Sequence, residues 1–286
     1  MQLNDTLFNG SRAILFVWKM PKLSVRNVSK SFFNGEQGVT EVLDGISFEI
    51  EEGEFVCLLG PSGCGKTTLL KTIAGLLEAD EGEITIDGMV VKRGKSDVGY
   101  IFQQESLFPW LTVRQNIEFG LKIKGVAKNQ IEDRLEHILR LVDLHEYQNN
   151  LPHEISGGQA RRAEMARSLV TSPEILISDE ALSNLDAQTR NHLQDEILRI
   201  WENTGSTILF VTHNVDEAVY TADRILVMSN IPAKIIAEFD VNLQRPRERT
   251  DSEFIEYRRK ILEILKVEQQ KAMERIEKGE HQFSVL

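Results

Sequence analysis

The feature that most constrains this chain is Gly60-Pro61-Ser62-Gly63-Cys64-Gly65-Lys66-Thr67, which fits G-x-x-x-x-G-K-[ST]. Its surroundings fit as well. Phe55 to Leu59 is continuously apolar, as a strand buried on both faces is. Leu69 to Ala74 follows as a helix that Gly75 can end, with residues 60–68 read as the loop between. The physical need for such a loop is plain. A triphosphate carries several negative charges in a small volume. Glycines let backbone N–H groups close in on it, and a helix N-terminus adds a favourable dipole. Lys66 then reaches the β- and γ-phosphates, and the Thr67 hydroxyl is a ligand for Mg²⁺. The motif by itself does not separate kinases, GTPases and motors.

The rest of the chain alternates between strand and helix. Leu23 to Val28, the alternating Ile46, Phe48 and Ile50, Glu83 to Ile86 and Val98 to Phe102 read as strands. From about Val113 to Val170 the period is helical, with Ile131, Leu135, Ile138, Leu139 and Val142 on one face. Strands resume at Ile175 to Ser178, Thr207 to Thr212 and Arg224 to Ser229. Helices at Ala187 to Trp201 and Val215 to Ala222 lie between them. This order predicts an α/β fold with a mixed, mainly parallel sheet and an inserted helical subdomain. Thr250 to Lys278 reads as a charged amphipathic helix, with Phe254, Tyr257, Ile261 and Leu265 on one side.

Composition limits the classes. With 41% hydrophobic and 27% charged residues, the 286-residue chain can bury a sizeable core. A net charge of −11 disfavours DNA or RNA as a partner. Cys57 and Cys64 suggest no disulfide framework. His137, His145, His153, His192 and His281 form no metal-ligand spacing, which leaves Mg²⁺ as the expected metal. The apolar stretch Ala13 to Trp18 falls far short of a membrane span and is followed by Lys19. Any service to a membrane is therefore expected to go through another protein.

Two further elements belong with the phosphate loop. Ile175-Leu176-Ile177-Ser178 ends in Asp179-Glu180. A carboxylate at the C-terminal end of a buried strand sits where α/β sheets gather their ligands. Asp179 can hold Mg²⁺, and Glu180 can polarise an attacking water as general base. Ile155-Ser156-Gly157-Gly158-Gln159 opens a helical stretch, Ala160 to Val170. Ser156 is a good N-cap, and the two glycines leave N–H groups exposed, which makes a second anion-binding element.

In this order the motifs resemble those of the ATP-binding-cassette (ABC) ATPases, a P-loop NTPase family, and the likeness covers nearly the whole chain. The resemblance implies ATP hydrolysis by two copies paired head to tail. Ser156, Gly157, Gly158 and Gln159 of one copy then cap the γ-phosphate held by residues 60–68 of the other, Thr68 included. It also implies roles for single residues. Gln103 is expected to touch Mg²⁺ and the water and to sense a membrane partner, and His213 to contact the γ-phosphate. Asp186, in Ser183-Asn184-Leu185-Asp186, is expected in the loop between the copies. Phe32 is expected to stack on adenine, with Phe33 as the competing ring and core packing as the plainer role for either. Ala181 and Ser178 depart from the family pattern, which commonly has proline and an apolar residue there.

The same resemblance divides the chain into an extension over residues 1–21, an ATPase domain over 22–240 with its helical subdomain at about 104–170, and a helical tail over 241–286. Leu107-Phe108-Pro109-Trp110-Leu111 is the expected docking surface for a membrane permease. Phe210-Val211-Thr212-His213-Asn214-Val215-Asp216-Glu217-Ala218 and Arg245-Pro246-Arg247-Glu248-Arg249 resemble the nitrate, sulfonate and taurine importer group. The β-rich regulatory domain of sugar-importer motors is not expected here. The expectation is an importer subunit on the cytoplasmic face of the membrane, served indirectly by an extracytoplasmic solute-binding protein. An exporter motor is the closest rival. A chromosome-maintenance ATPase would need coiled-coil insertions, a translation-associated protein two cassettes, and a kinase would lack Ser156 to Gln159.

Overall fold

A computed structural model describes residues 20–33, 35, 38–183 and 185–277. The expected extension over residues 1–21 lies almost wholly outside them, as do Asn184 and the last residues of the tail.

Six strands form the central sheet, in the order β10 (Ile235–Asp240), β9 (Arg224–Met228), β3 (Phe55–Leu59), β8 (Ile208–Thr212), β7 (Ile175–Asp179), β6 (Val98–Ile101). All neighbours are parallel except β10 and β9. The continuous apolar runs predicted this: β3, β7 and β8 are buried at every position. A second sheet, β2–β1–β4–β5, is antiparallel. It joins β1 (Leu23–Phe33), β2 (Val39–Ile50), β4 (Glu81–Ile86) and β5 (Met89–Val90). The sheets enclose one core cluster that includes Val25, Val42, Leu58, Leu69 and Val211. A second cluster lies on the other face of the central sheet, where the helices cover Phe55, Cys57 and Phe210.

Helices α5 (Ala187–Thr204) and α6 (Val215–Thr221) connect parallel strands, and α1 (Lys66–Ile73) leads from β3 into β4 of the second sheet. Between β6 and β7 come α2 (Val113–Ile123), α3 (Lys128–Leu141) and α4 (Gly157–Leu169), where the sequence reads as helical. On α3 the buried residues are Ile131, Leu135, Ile138 and Leu139, and Val142 is buried just beyond its end. The last helix, α7 (Ser252–Glu277), packs through Phe254 and Ile261.

Two readings need correction. The helix after the phosphate loop starts at Lys66, not at Leu69. The residues that serve the loop's chemistry are the first helical turn, so their polarity hides the helix from the hydrophobic pattern. Strands β5 and β10 were not foreseen. β10 alternates only between exposed and half-buried, and β5 is a two-residue exposed edge.

Candidate functional site

The phosphate loop is shaped by its own packing. A Cβ at Gly60 would lie 3.0 Å from Cys64 Sγ and 3.1 Å from Met228 Cβ, so any side chain there crowds its neighbours. Gly65 takes φ +99°, and a Cβ there would lie 2.8 Å from Val42 Cγ1. That left-handed residue turns the chain into α1. Pro61 is half-buried, Ser62, Gly63 and Thr67 are exposed, and Thr68 is buried. Cys64 is buried, and burial pushes its thiol pKa up, so it stays a neutral packing residue.

Four parallel strands, β3, β6, β7 and β8, deliver the reacting groups to one edge of the sheet. Lys66, 4% exposed, donates to the carbonyls of Gly60 (3.0 Å) and Pro61 (2.8 Å). Its Nζ lies 3.3 Å from Glu180 Oε1. Glu180 stands just past β7 with φ +45°, and its N–H donates to Val211 O at 3.0 Å. A non-glycine residue in that region is strained unless its surroundings fix it, and such strain clusters at functional sites. The other carboxylate oxygen meets His213 Nδ1 at 3.1 Å, from the turn after β8, and Gln103 Nε2 at 3.5 Å, from the segment after β6. Glu180 is therefore approached by a lysine, a histidine and an amide at once.

Asp179, at the end of β7, lies 3.5 Å from Thr67 Oγ1. Burial raises its pKa, while hydrogen bonds from Tyr100 and Thr67 oppose the rise. Tyr100 donates to Asp179 Oδ2 at 3.0 Å, and sequence reasoning did not place it in the site. Only the register Tyr100 opposite Ile177 puts the phenol beside the aspartate, and that pairing cannot be seen in one sequence. One carboxylate and one hydroxyl are hard oxygen donors, the set that suits Mg²⁺ shared with substrate phosphates. Among the described residues, no cluster of His, Cys, Asp and Glu offers a site that would hold a metal without such a substrate.

The second anion-binding element caps α4. Ser156 accepts from Gln159 N (3.3 Å), and Gln159 Oε1 accepts from Ser156 N (2.8 Å). Gln159 thus closes a capping box. A Cβ at Gly157 would meet nothing within 4 Å, and at Gly158 only Thr189 Cγ2 at 3.9 Å. Nothing within the chain requires glycine at either position. Asp186 caps α5, accepting from Gln188 N and Thr189 N at 3.0 Å each. The hydrogen bonds from Thr189 hold its carboxyl below the usual range.

Phe32 and Phe33 part ways, because successive side chains of a strand face opposite sides. Phe32 is half-buried against the cluster containing Cys64 and Val42, with Lys30 Nζ 5.7 Å from its ring centre. Phe33 is 76% exposed. In the expected docking segment, Leu107 packs on the core, while Trp110 is 72% exposed beside Phe108, ring centres 5.7 Å apart. Ser178 and Ala181 are buried.

A family sequence model described as ABC transporter matches residues 43–183. An uncharacterized ABC transporter ATP-binding protein of Methanocaldococcus jannaschii is 47% identical over 253 residues, 88% of this chain and 94% of that protein. The aliphatic sulfonates import ATP-binding protein SsuB of Bacillus thuringiensis subsp. konkukian is 43% identical over 241 residues, 84% of this chain and 94% of SsuB. Among solved structures, a dimeric post-hydrolysis ATP-binding cassette bound to ADP and Pi is 29% identical with TM-score 0.67. It matches 78% of this chain and 100% of that one. A Clostridium perfringens subunit of the ABC transporter complex cbiONQ is 26% identical with TM-score 0.69, matching 77% of this chain and 89% of its own.

Proposed function

The chain belongs to the ABC transporter ATP-binding proteins, and on that premise we propose that it is the motor of an importer for a small sulfonate-like solute. ATP hydrolysis follows from the family. The importer reading is supported by the likeness to SsuB over 84% of this chain. Among the described residues no helix is long and apolar enough to cross a membrane. The likeness to ABC transporter ATP-binding proteins supports a motor that works through a permease at the cytoplasmic face. The exposed Trp110 and the half-buried Phe108 beside it are the proposed contact.

Phosphoryl transfer to water is mostly positioning and charge stabilisation. Lys66 swings from the loop carbonyls and Glu180 onto the β- and γ-phosphates. That movement frees Glu180 to orient the attacking water and accept its proton. His213 and Gln103, already beside Glu180, hold the water and the γ-phosphate. Thr67 and Asp179, with Gln103 nearby, are the residues that would hold Mg²⁺, which would neutralise phosphate charge. Phe32, fixed on the phosphate-loop side of β1, stacks on adenine. The open space around Gly157 and Gly158 supports a shared site. Those amides, with Ser156, cap the γ-phosphate held by a second copy, and Asp186 borders the same seam.

The experiment is affinity purification of the tagged chain from detergent-solubilised native membranes, with mass spectrometry of what accompanies it. A multi-span subunit and an extracytoplasmic binding protein are expected. A membrane subunit without a binding protein would favour an exporter, and no membrane protein at all would overturn the transport reading.

A further inference from the structure

Three side chains of α4 close on the chain that follows Gln103. Arg161 donates to the carbonyls of Phe102 (2.8 Å) and Gln103 (3.1 Å). Glu164 Oε1 accepts from the N–H (2.5 Å) and the hydroxyl (3.0 Å) of Ser106, and its Oε2 accepts from Arg161 at 2.6 Å. Arg167 donates to the Ser106 carbonyl (2.6 Å) and hydroxyl oxygen (2.5 Å), and its guanidinium stands 5.8 Å from the Phe108 ring centre. Every polar atom of Ser106 is thus engaged by α4.

The chemistry favours a stiff connection. Glu164 is 1% exposed, and a carboxylate so buried must be paired and hydrogen-bonded. Bonds to charged groups are the strong ones, and here they converge on a single loop residue. The spacing of three and three puts all three side chains on one face of α4. The first turn of that helix is Ser156-Gly157-Gly158. Five residues C-terminal to Gln103, on the held segment, stands the half-buried Phe108, its ring beside that of the exposed Trp110.

We propose that Arg161, Glu164 and Arg167 are positioning residues that lock segment 102–108 to α4. The Trp110 face and the Ser156-Gly157-Gly158 turn then move as one body relative to the phosphate loop, and Gln103 is where that body meets Glu180. The proposal rests on the transport reading for what presses on the Trp110 face, but the lock itself is a property of the chain.

The test uses the full chain carrying 5-fluorotryptophan, whose three tryptophans give resolvable fluorine resonances. Trp110→Phe identifies the one that matters. Mg-AMP-PNP is expected to shift the Trp110 resonance in the unsubstituted chain. In Ser106→Ala and in Glu164→Gln that shift is lost while the affinity for fluorescent nucleotide stays unchanged. Ser106→Thr, which keeps the hydroxyl, restores it. Ser106→Ala leaves the buried Arg161–Glu164 pair intact, so it remains informative if Glu164→Gln does not fold. A shift that persists undiminished in Ser106→Ala overturns the lock. So does a loss of shift that tracks a loss of nucleotide affinity, since that would be damage to the site itself. A Trp110 resonance that ignores the nucleotide in the unsubstituted chain also overturns it. The copurification experiment decides the transport reading separately.

Discussion

At the scale of single residues, the account separates groups that react from groups that hold. Glu180→Gln keeps the site's shape and removes its base, so nucleotide binding should survive while steady-state turnover falls by about 100-fold or more. Lys66→Ala should instead weaken binding of fluorescent ATP, because it removes the charge placed for the phosphates. Arg247 belongs to the holding class. It is 5% exposed and donates to the carbonyls of Val219 (2.7 Å), Ala222 (2.7 Å) and Val241 (3.1 Å). Burial, with Arg245 beside it, lowers its pKa to about 10. Arg247→Ala should cost about 3 kcal/mol in urea unfolding, since buried carbonyls lose their donors. Glu217 is buried beside Gln194, Thr212, Arg190 and His213, and burial raises its pKa above the ordinary 4.5. At this group the folded state binds more protons than the unfolded one, so its contribution to stability is fully present below pH 4.5 and is lost as pH rises through the raised value. Glu217→Gln should flatten that part of the stability-versus-pH curve.

At the scale of elements, what could be read from the sequence was whatever packing repeats. β3, buried at every position, and α3, buried at 3.6-residue spacing, followed the patterns that predict them. β1 was less legible because its pairing with β2 slips three times between Val25 and Ser31, which breaks the alternation that marks a strand. The start of α1 was missed because Lys66 and Thr67 are chosen for phosphate and not for helix packing. The spacing of Arg161, Glu164 and Arg167 was visible, but their target on segment 102–106 was not. The turn before α2 depends on one side chain. Asn116 is fully buried, accepts from Phe108 N at 2.7 Å and donates to the carbonyls of Phe108 (3.1 Å) and Leu111 (3.0 Å). Asn116→Ala should cost about 2 kcal/mol and speed hydrogen exchange at the Phe108 amide, with α1 and β3 unaffected.

At the scale of the whole molecule, one asymmetry stands out. Gly60 and Gly65 of the phosphate loop are crowded by Met228, Cys64 and Val42, whereas Gly157 and Gly158 face open space. The first set answers to this chain, and the second to something outside it. The motif order carried that idea in the sequence, because two phosphate-grasping elements serve one nucleotide only if a second copy supplies the other. The direct test is sedimentation of Glu180→Gln at micromolar concentration, with and without Mg-ATP. The account predicts a monomer without nucleotide and a dimer with it, reverting to monomer when Ser156→Arg blocks the cap. A chain that binds Mg-ATP and stays monomeric, or a dimer indifferent to Ser156→Arg, would contradict the shared site.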